Sequence, residues 1–215
     1  RLLPQAFYYA QGWNSLPSGA RWAPAVSVPS GNLGNLTAGV IARRLGIPLG
    51  RFIAASNANA AMNRFVEVGT LPSGPSLKTL ASAMDVSRPS NLERLVSIFD
   101  GDVKALERWI LPTHHGDDEV LAVMERLYRE SGYYLDPHTA VGYAVARHQR
   151  HSASPMVTLA TAHPAKFPDA VERAAGLRPA LPKRLEHLLK AEERFTVLPN
   201  DVGQVRDFIM SRHSA

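Results

Sequence analysis

Residues 25–35 read AVSVPSGNLGN, and this short stretch sets the topology of the chain. Its first five residues are rich in valine and alanine, which is typical of a buried strand. The next six contain glycine, serine and asparagine, the residue types of a turn. Residues 36–45 then carry apolar side chains at helical spacing, and residues 51–56 form a second β-rich run. A strand, a helix and a second strand in this order predict neighbouring parallel strands.

The rest of the chain extends this pattern into an α/β fold. We expect a largely parallel sheet with helical crossovers, containing strands near residues 25–29, 51–56 and 156–160. Asn57 or Asn59 would cap the helix that ends at Gly69. Leu36, Val40, Ile41 and Leu45 should face inward from the helix at 36–45. Further helices are predicted near residues 92–99, 103–111, 120–128, 137–148, 164–175, 182–190 and 202–212.

Three parts follow from this organisation. Residues 1–81 form a βα part, residues 82–150 a mostly helical insert, and residues 151–215 the last strand with the carboxyl-terminal helices. The insert should cover the sheet or form a lobe of its own. Its apolar stripes, which include Leu95, Phe99, Val123 and Leu127, should be buried.

Composition excludes several classes of protein. The 215 residues include 45% hydrophobic and 20% charged residues, which is ordinary for a globular chain. The net charge of +5 is scattered and lacks interleaved aromatic residues, so no nucleic-acid partner is expected. No apolar run approaches the roughly 18 residues of a membrane span, so no membrane partner is expected either. The chain has no cysteine, which excludes disulfides and thiolate catalysis and agrees with a cytoplasmic location.

The first residues resemble the interior of a protein. Residue 1 is arginine, and residues 2–10 are apolar and aromatic without the pattern of a signal peptide. We read them as a core-facing helix, and we expect the chain to be the back part of a longer protein. A short native terminus is the alternative.

Two segments carry candidate chemistry. Residues 30–35 follow a strand and precede a helix, where backbone N–H groups and the helix N-terminus suit a phosphate. Asn32 and Asn35 would add side-chain donors. The spacing is not that of a dinucleotide fingerprint or a nucleotide P-loop, so an ordinary turn is the alternative. Thr161 follows the third strand, where a hydroxyl would face a ligand or cap the next helix.

Other polar segments favour structural roles. Asp136 precedes Pro137 and is expected to cap a helix. His114 and His115 lie near Asp117 and Asp118, but they lack ligand spacing on a helix. We expect that stretch to be an exposed loop and predict no metal site. The sequence contains no Gly-x-Ser-x-Gly motif, which argues against a serine hydrolase.

Six segments, in order along the chain, resemble the threonine synthase family. Each is weak alone, but together they span nearly the whole sequence. The family consists of fold-type II, tryptophan synthase β-like enzymes that use pyridoxal 5′-phosphate. The matching segments are VPSGNLGN at 28–35, ASNAN at 55–59, SAMDVS at 82–87, SNLER at 90–94, GYYLDPHTAVG at 132–142 and TAHPAKF at 161–167.

The resemblance implies both a reaction and a set of site residues. The family converts O-phospho-L-homoserine and water into L-threonine and phosphate. Thr161 would meet the pyridine nitrogen of the cofactor. Leu33 stands where phenylalanine is usual and Asn35 where aspartate is commoner, and both keep the size or polarity that the loop needs. The cradle for the cofactor's 5′-phosphate would consist of Gly31, Asn32, Leu33, Gly34 and Asn35.

One expected group is absent. The family's Schiff-base lysine lies in an earlier Phe-Lys-Asp context, and none of the five lysines here matches it: Lys78, Lys104, Lys166, Lys183 and Lys190. We therefore expect the chain to be inactive alone and to need the amino-terminal half of the same protein as its partner. The alternative is a non-catalytic, threonine-synthase-like protein that binds phosphate or a partner. Another fold-type II lyase or dehydratase is disfavoured by the segments at 83–85 and 163–167.

Overall fold

A four-stranded parallel sheet organises the computed structural model, which describes residues 1–148 and 155–213. The strand order β3-β2-β1-β4 and the parallel pairing of every neighbour confirm the predicted α/β class. Val28 of β1 is in register with Ala54 of β2, and Ser27 of β1 with Thr158 of β4. The strands are β1 (Ala25–Pro29), β2 (Phe52–Ser56), β3 (Ile110–His114) and β4 (Met156–Thr158).

Eight helices accompany the sheet in the described part of the first compact unit, residues 1–179. The predicted amino-terminal helix extends to Ser15. Short 3₁₀ turns occur at Ser18–Ala20, Ser82–Met84 and Pro164–Lys166. The helices are α1 (Leu2–Ser15), α2 (Gly34–Arg44), α3 (Ala61–Val68), α4 (Leu92–Ile98), α5 (Val103–Trp109), α6 (Asp117–Ser131), α7 (Pro137–His148) and α8 (Pro168–Ala175).

Both faces of the sheet are covered by helices. Every residue of β2 is buried, as expected for a parallel strand between two helical layers. Phe52 and Ala54 join one apolar cluster, with side chains from α1, α2, α3, α4 and α5. Ile53 and Ala55 join a second cluster, with side chains from α6, α7 and α8. Of the two arrangements expected for the middle helices, the structure shows the one in which they cover the sheet: Leu95 and Phe99 are buried, and Val123 and Leu127 are half-buried.

The strand β3 is a correction to the sequence analysis. The helix predicted at 103–111 ends at Trp109. The chain continues from Ile110 as the edge strand β3, and the Ile110 side chain is fully buried. Pro112 is tolerated there because an edge strand has an unpaired side.

The exposed loop predicted around His115 is also wrong, because His114 ends β3, Asp117 and Asp118 begin α6, and His115 between them is largely buried. The backbone N–H of His115 donates to the Ser56 carbonyl at 3.0 Å, and the imidazole of His115 is only 12% exposed.

Two details of the helix predictions are also wrong. Leu45 is the C-cap of α2, where the helix ends, and it is 69% exposed rather than inward-facing. Asn57 and Asn59 do not cap α3. Its N-cap is Ala60, in a left-handed conformation with φ of 46°, while both asparagine side chains bond elsewhere.

The second compact unit comprises residues 180–215 and is described to residue 213. The helix predicted at 182–190 is a 3₁₀ helix at Lys183–Lys190, and α9 (Val202–His213) agrees with the prediction. No helix in the described ranges has the length and apolar character needed to cross a membrane. The three-part division of the chain stays a prediction, and its boundary at 150 lies outside the described residues.

Candidate cofactor site

The loop between β1 and α2 begins as a continuation of the sheet. The Ser30 N–H donates to the Ala55 carbonyl at 2.7 Å, and the Ser30 hydroxyl donates to the Val28 carbonyl at 2.8 Å. Ser30 is buried. Its polar groups are therefore used by the protein itself, and the residues that follow have to supply any contact to a ligand.

Backbone N–H groups are the free donors of this loop. No described residue accepts a hydrogen bond from the N–H of Gly31, Asn32 or Leu33. Leu33 adopts a left-handed conformation, with φ of 58° and ψ of 9°, which is costly for a branched side chain. The first N–H groups of α2 also lack intrahelical acceptors. Such consecutive donors at a helix N-terminus suit an anion.

Gly31 is required by its neighbours. A Cβ at this position would lie 2.6 Å from the Cα of Met84 and 3.1 Å from the carbonyl oxygen of Ala83. Both contacts are to backbone, which cannot move aside cheaply. Gly34 is less constrained, because its nearest contact would be the Asn91 side chain at 3.3 Å. The loop therefore lies directly on the turn Ser82–Met84.

The Asn32 side chain ties the loop to the start of α4. Its Oδ1 accepts from the Ser90 N–H at 2.6 Å, and its Nδ2 donates to the Ser90 hydroxyl at 3.0 Å. The Asn32 carbonyl accepts from the Asn91 side chain at 2.7 Å. The structure thus engages this side chain within the protein, and only the N–H of Asn32 remains for a ligand.

The Asn35 side chain is held by α1. The Tyr9 hydroxyl lies 2.6 Å from Asn35 Oδ1 and 2.9 Å from the Asn35 carbonyl oxygen. Burial raises the pKa of Tyr9, so its hydroxyl stays protonated and donates. Gly39 permits this approach, because a Cβ there would lie 2.5 Å from the Tyr9 ring. This support of the loop by the first helix was not predicted.

Gly31 and Thr161 line the same cleft. Its volume is about 210 Å³, and it lies beyond the carboxyl ends of β1 and β4. Thr161 is exposed and does not cap the next turn, since His163 is the N-cap there. Lys166 is the lysine that lines this cleft. The other lining residues are Pro29, Ala83, Met84, His138, Ala162 and Phe167.

Two of the other predicted site residues line a second cavity, of about 480 Å³, instead of this cleft. Asn32 and Gly34 contribute to its lining, together with two arginines, Arg1 and Arg94. Leu33 is buried, and neither Leu33 nor Asn35 lines either cavity. Of the predicted site residues, only Gly31 and Thr161 therefore line the same cleft.

Asp136 anchors a buried polar cluster beside the cleft. It caps α7 as predicted, accepting from the N–H of His138 at 2.9 Å and of Thr139 at 3.3 Å. Burial acts to raise the pKa of Asp136, but hydrogen bonds from the His138 and Thr139 side chains outweigh it, so the pKa lies below its ordinary value. The roles of His138 and Thr139 were missed, although both directly follow the Asp-Pro pair.

A second polar cluster fixes the turn on which Gly31 lies. Asp85 accepts from the side chains of Asn57 and Thr79, each at 2.8 Å. The Asn59 Oδ1 accepts from the Leu77 N–H at 2.7 Å. These bonds hold residues 77–85 against the carboxyl end of β2. One or other of these asparagines was expected to cap α3, and their role in this cluster was not predicted.

Among the described residues, the histidines near β3 are not grouped as metal ligands, and His115 is instead paired with a neighbour. His115 Nδ1 lies 2.7 Å from a Glu119 carboxylate oxygen, and this hydrogen bond lowers the pKa of Glu119. Within residues 1–148 and 155–213, no group of three histidine, aspartate or glutamate side chains is placed to hold a metal ion.

The loop and the cleft together suit a phosphorylated cofactor. The free N–H groups of the loop suit its phosphate, and the position of Gly31 admits no side chain between loop and turn. The exposed Thr161 supplies a neutral hydroxyl on the same cleft.

Curated proteins with similar sequences are about twice as long as this chain. A family model described as "Threonine synthase, C-terminal" matches residues 139–209. The threonine synthase of Serratia marcescens is 40% identical over 210 residues, and that of Escherichia coli (strain K12) is 39% identical over 211 residues. Each match covers 98% of this chain, but 48% and 49% of the respective relative.

Solved structures agree with these matches. A PLP-bound threonine synthase from Brucella melitensis is 34% identical with a TM-score of 0.89, covering 100% of this chain and 51% of that one. The Escherichia coli threonine synthase is 37% identical with a TM-score of 0.85, covering 98% and 49%. A threonine deaminase from Solanum lycopersicum, at 17% identity and a TM-score of 0.59, shares the fold alone over 79% of this chain and 46% of that one. The chain is a homologue of the threonine synthases and spans about half of their length.

Proposed function

We propose that this chain forms the phosphate-binding and pyridine-binding side of the cofactor site in a threonine synthase. The complete protein would convert O-phospho-L-homoserine and water into L-threonine and phosphate. One observation carries the proposal. Gly31 and Thr161 are remote in sequence, yet they line one cleft next to backbone N–H groups that no described residue uses.

The loop would bind the 5′-phosphate of pyridoxal phosphate. The N–H groups of residues 31–35 would donate to its oxygens, and the positive end of α2 would favour its charge. The side chains of Leu33 and Asn35 would hold the backbone in place from behind, Leu33 in the core and Asn35 on Tyr9. Asn32 would contribute its N–H, while its side chain secures the loop to α4.

Thr161 would face the pyridine nitrogen. The bound cofactor supplies an electron sink, and the partner of its ring nitrogen tunes that property. A neutral hydroxyl does not keep the nitrogen protonated as a carboxylate would, so the sink would be a restrained one. The Thr161 N–H is already bonded to Thr139 at 3.1 Å, which leaves the side chain for the ligand.

Cofactor binding tests this proposal directly. Gly31→Ala should weaken the binding of pyridoxal phosphate at least tenfold, because the new Cβ would collide with the backbone of Met84. Gly12→Ala is the matched control, since a Cβ at Gly12 meets nothing within 4 Å. Fluorescence or calorimetric titration measures both affinities, and circular dichroism checks that both variants fold. Equal affinities in the two folded variants would reject the cradle.

Catalysis should require more than these 215 residues. None of the five lysines stands in the Phe-Lys-Asp context, so the chain alone should release no phosphate from O-phospho-L-homoserine. We propose that its partner is a polypeptide equivalent to the amino-terminal half of the relatives. Leu3, Phe7 and Tyr8 of α1, which are 61%, 72% and 60% exposed, form an apolar patch that suits such a partner.

The assay combines phosphate release with borohydride reduction and mass spectrometry. We expect no turnover by the chain alone and no single lysine that binds the cofactor covalently. Turnover should appear when the amino-terminal half of a relative is added. Lys166→Arg is the key control, because Lys166 lines the cleft. Turnover by the chain alone, with covalent labelling of Lys166 that is lost in this variant, would show that the catalytic lysine is present.

The second candidate is a non-catalytic protein that binds phosphate or a partner. The lysine contexts favour it, because none of the five lysines stands in the Phe-Lys-Asp context of the family's Schiff-base lysine. It would be supported if the amino-terminal half of a relative bound the chain tightly without restoring turnover.

A further inference from the structure

The Asp136 carboxylate has two hydrogen bonds that capping does not explain. It is 1% exposed, and its two bonds to backbone N–H groups complete the start of α7. In addition, Oδ1 lies 3.0 Å from His138 Nδ1, and Oδ2 accepts a short hydrogen bond from the Thr139 hydroxyl. A helix cap needs only the backbone bonds. The two side-chain bonds therefore point to a separate role.

The negative charge fixes the direction of both side-chain bonds. An ionised carboxylate can only accept, so His138 Nδ1 and the Thr139 hydroxyl must both donate. His138 Nε2 is then left as an acceptor, and it receives the Ala83 N–H at 3.0 Å. The Thr139 oxygen likewise receives the Thr161 N–H at 3.1 Å. One buried charge thus orients two hydrogen-bonded relays.

The two relays end on different walls of the cofactor cleft. Ala83 belongs to the turn that lies against Gly31, and Thr161 lies at the end of the sheet. Both residues line the cleft, as does His138. The His138 ring also packs on Phe167, with 4.5 Å between ring centroids. The positions of the two walls therefore depend on Asp136, which does not itself line the cleft.

We propose that Asp136 is a positioning residue for the cofactor. Through Thr139 it would hold the backbone of Thr161, and through His138 it would hold the turn against which the phosphate loop lies. The assignment of the cleft to pyridoxal phosphate rests on the proposed function. The relays themselves rest only on the contacts of this chain.

Asp136→Asn separates capping from the relays. Asparagine has the same shape and caps helices equally well. Its Oδ1 can still accept from His138 and from both N–H groups, but its Nδ2 is a donor and would face Thr139. The Thr139 hydroxyl would then lose the buried acceptor of its proton and would have to turn toward another one, which should weaken its hydrogen bond from the Thr161 N–H. Amide hydrogen exchange should become at least tenfold faster at Thr161 and remain unchanged at Ala83, and ¹⁵N NMR should still show the proton on His138 Nδ1.

A second pair of variants decides the matter if the asparagine variant does not fold. Thr139→Val removes the hydroxyl at similar size and should give the same faster exchange at Thr161. Thr139→Ser restores the hydroxyl and should restore the protection. Affinity for pyridoxal phosphate should fall about tenfold in the valine variant and recover in the serine variant.

The outcomes separate this inference from the proposed function. Unchanged exchange at Thr161 in Thr139→Val would overturn the relay. Faster exchange with an unaltered cofactor affinity would make Asp136 a structural residue only, and would overturn the positioning role. A wild-type chain without affinity for pyridoxal phosphate would contradict the proposed function and the positioning role together, while the exchange data would still decide whether the relay exists.

Discussion

A single hydroxyl connects the first helix to the start of the second. The Tyr9 side chain is 2% exposed, and its hydroxyl bonds to Asn35 in the first turn of α2. The ring also packs edge-on against Phe52 of the central sheet, with 5.9 Å between centroids. The position of the loop between β1 and α2 is therefore fixed from α1, by a residue outside the six segments that resemble the family.

Tyr9→Phe should destabilise the fold modestly and weaken phosphate binding. It removes one buried hydrogen bond, which contributes about 1 kcal/mol. It also leaves the Asn35 side chain without the partner that holds it. Tyr8→Phe is the control, because Tyr8 is 60% exposed and its change should stay within about 0.5 kcal/mol. Urea unfolding measures the stability of both variants, and equal losses of stability would refute a special role for Tyr9.

At the level of elements, the packing of α2 and α4 shows which leucines are buried, and the apolar pattern of the sequence alone does not. Leu95 and Leu45 both occur in apolar helical patterns. Leu95 is fully buried in the cluster on one face of the sheet, whereas Leu45 lies beyond the end of α2 and is mostly exposed.

Leu95→Ala should reduce the free energy of unfolding by about 2–5 kcal/mol, the usual cost of truncating a buried leucine. Leu45→Ala should change it by no more than about 0.5 kcal/mol. Denaturant titration of the two variants gives the comparison directly. A small effect at Leu95 would mean that α4 does not pack on the sheet as described.

The same elements show what sequence can predict. The order of β1, α2 and β2 was predictable because apolar runs, glycines and helical spacing are local properties. The strand β3 was not, because Ile110–His114 directly continues a helical pattern and has a proline at its centre rather than at its end. Its strand character comes from pairing with β2, as in the register of Ile53 with Leu111, and such pairing is a tertiary effect.

The candidate site was predictable in part for a related reason. The loop at 30–35 and Thr161 lie at strand ends, where parallel sheets place ligands. The supports of the site connect distant segments: Tyr9 with Asn35, Asn57 with Asp85, and Thr139 with Thr161. Contacts of this kind follow from the assembled fold, and no local pattern announces them.

On the scale of the whole molecule, the cleft is assembled from four separate parts of the chain. Pro29 and Gly31 come from the end of β1, Ala83 and Met84 from a turn, His138 from α7, and residues 161–167 from the segment after β4. The relatives contain about as many residues again as the part that this chain matches. The central claim is that the phosphate of a cofactor binds at the backbone of residues 31–35.

The most direct test is an NMR titration of the ¹⁵N-labelled chain with pyridoxal phosphate and, separately, with pyridoxal, which lacks the phosphate. We expect the amide resonances of Gly31, Asn32 and Leu33 to shift with pyridoxal phosphate, because these N–H groups have no acceptor among the described residues. Inorganic phosphate should reproduce part of the shift, and pyridoxal should not. Equal shifts with pyridoxal, or shifts confined to other residues, would contradict the account.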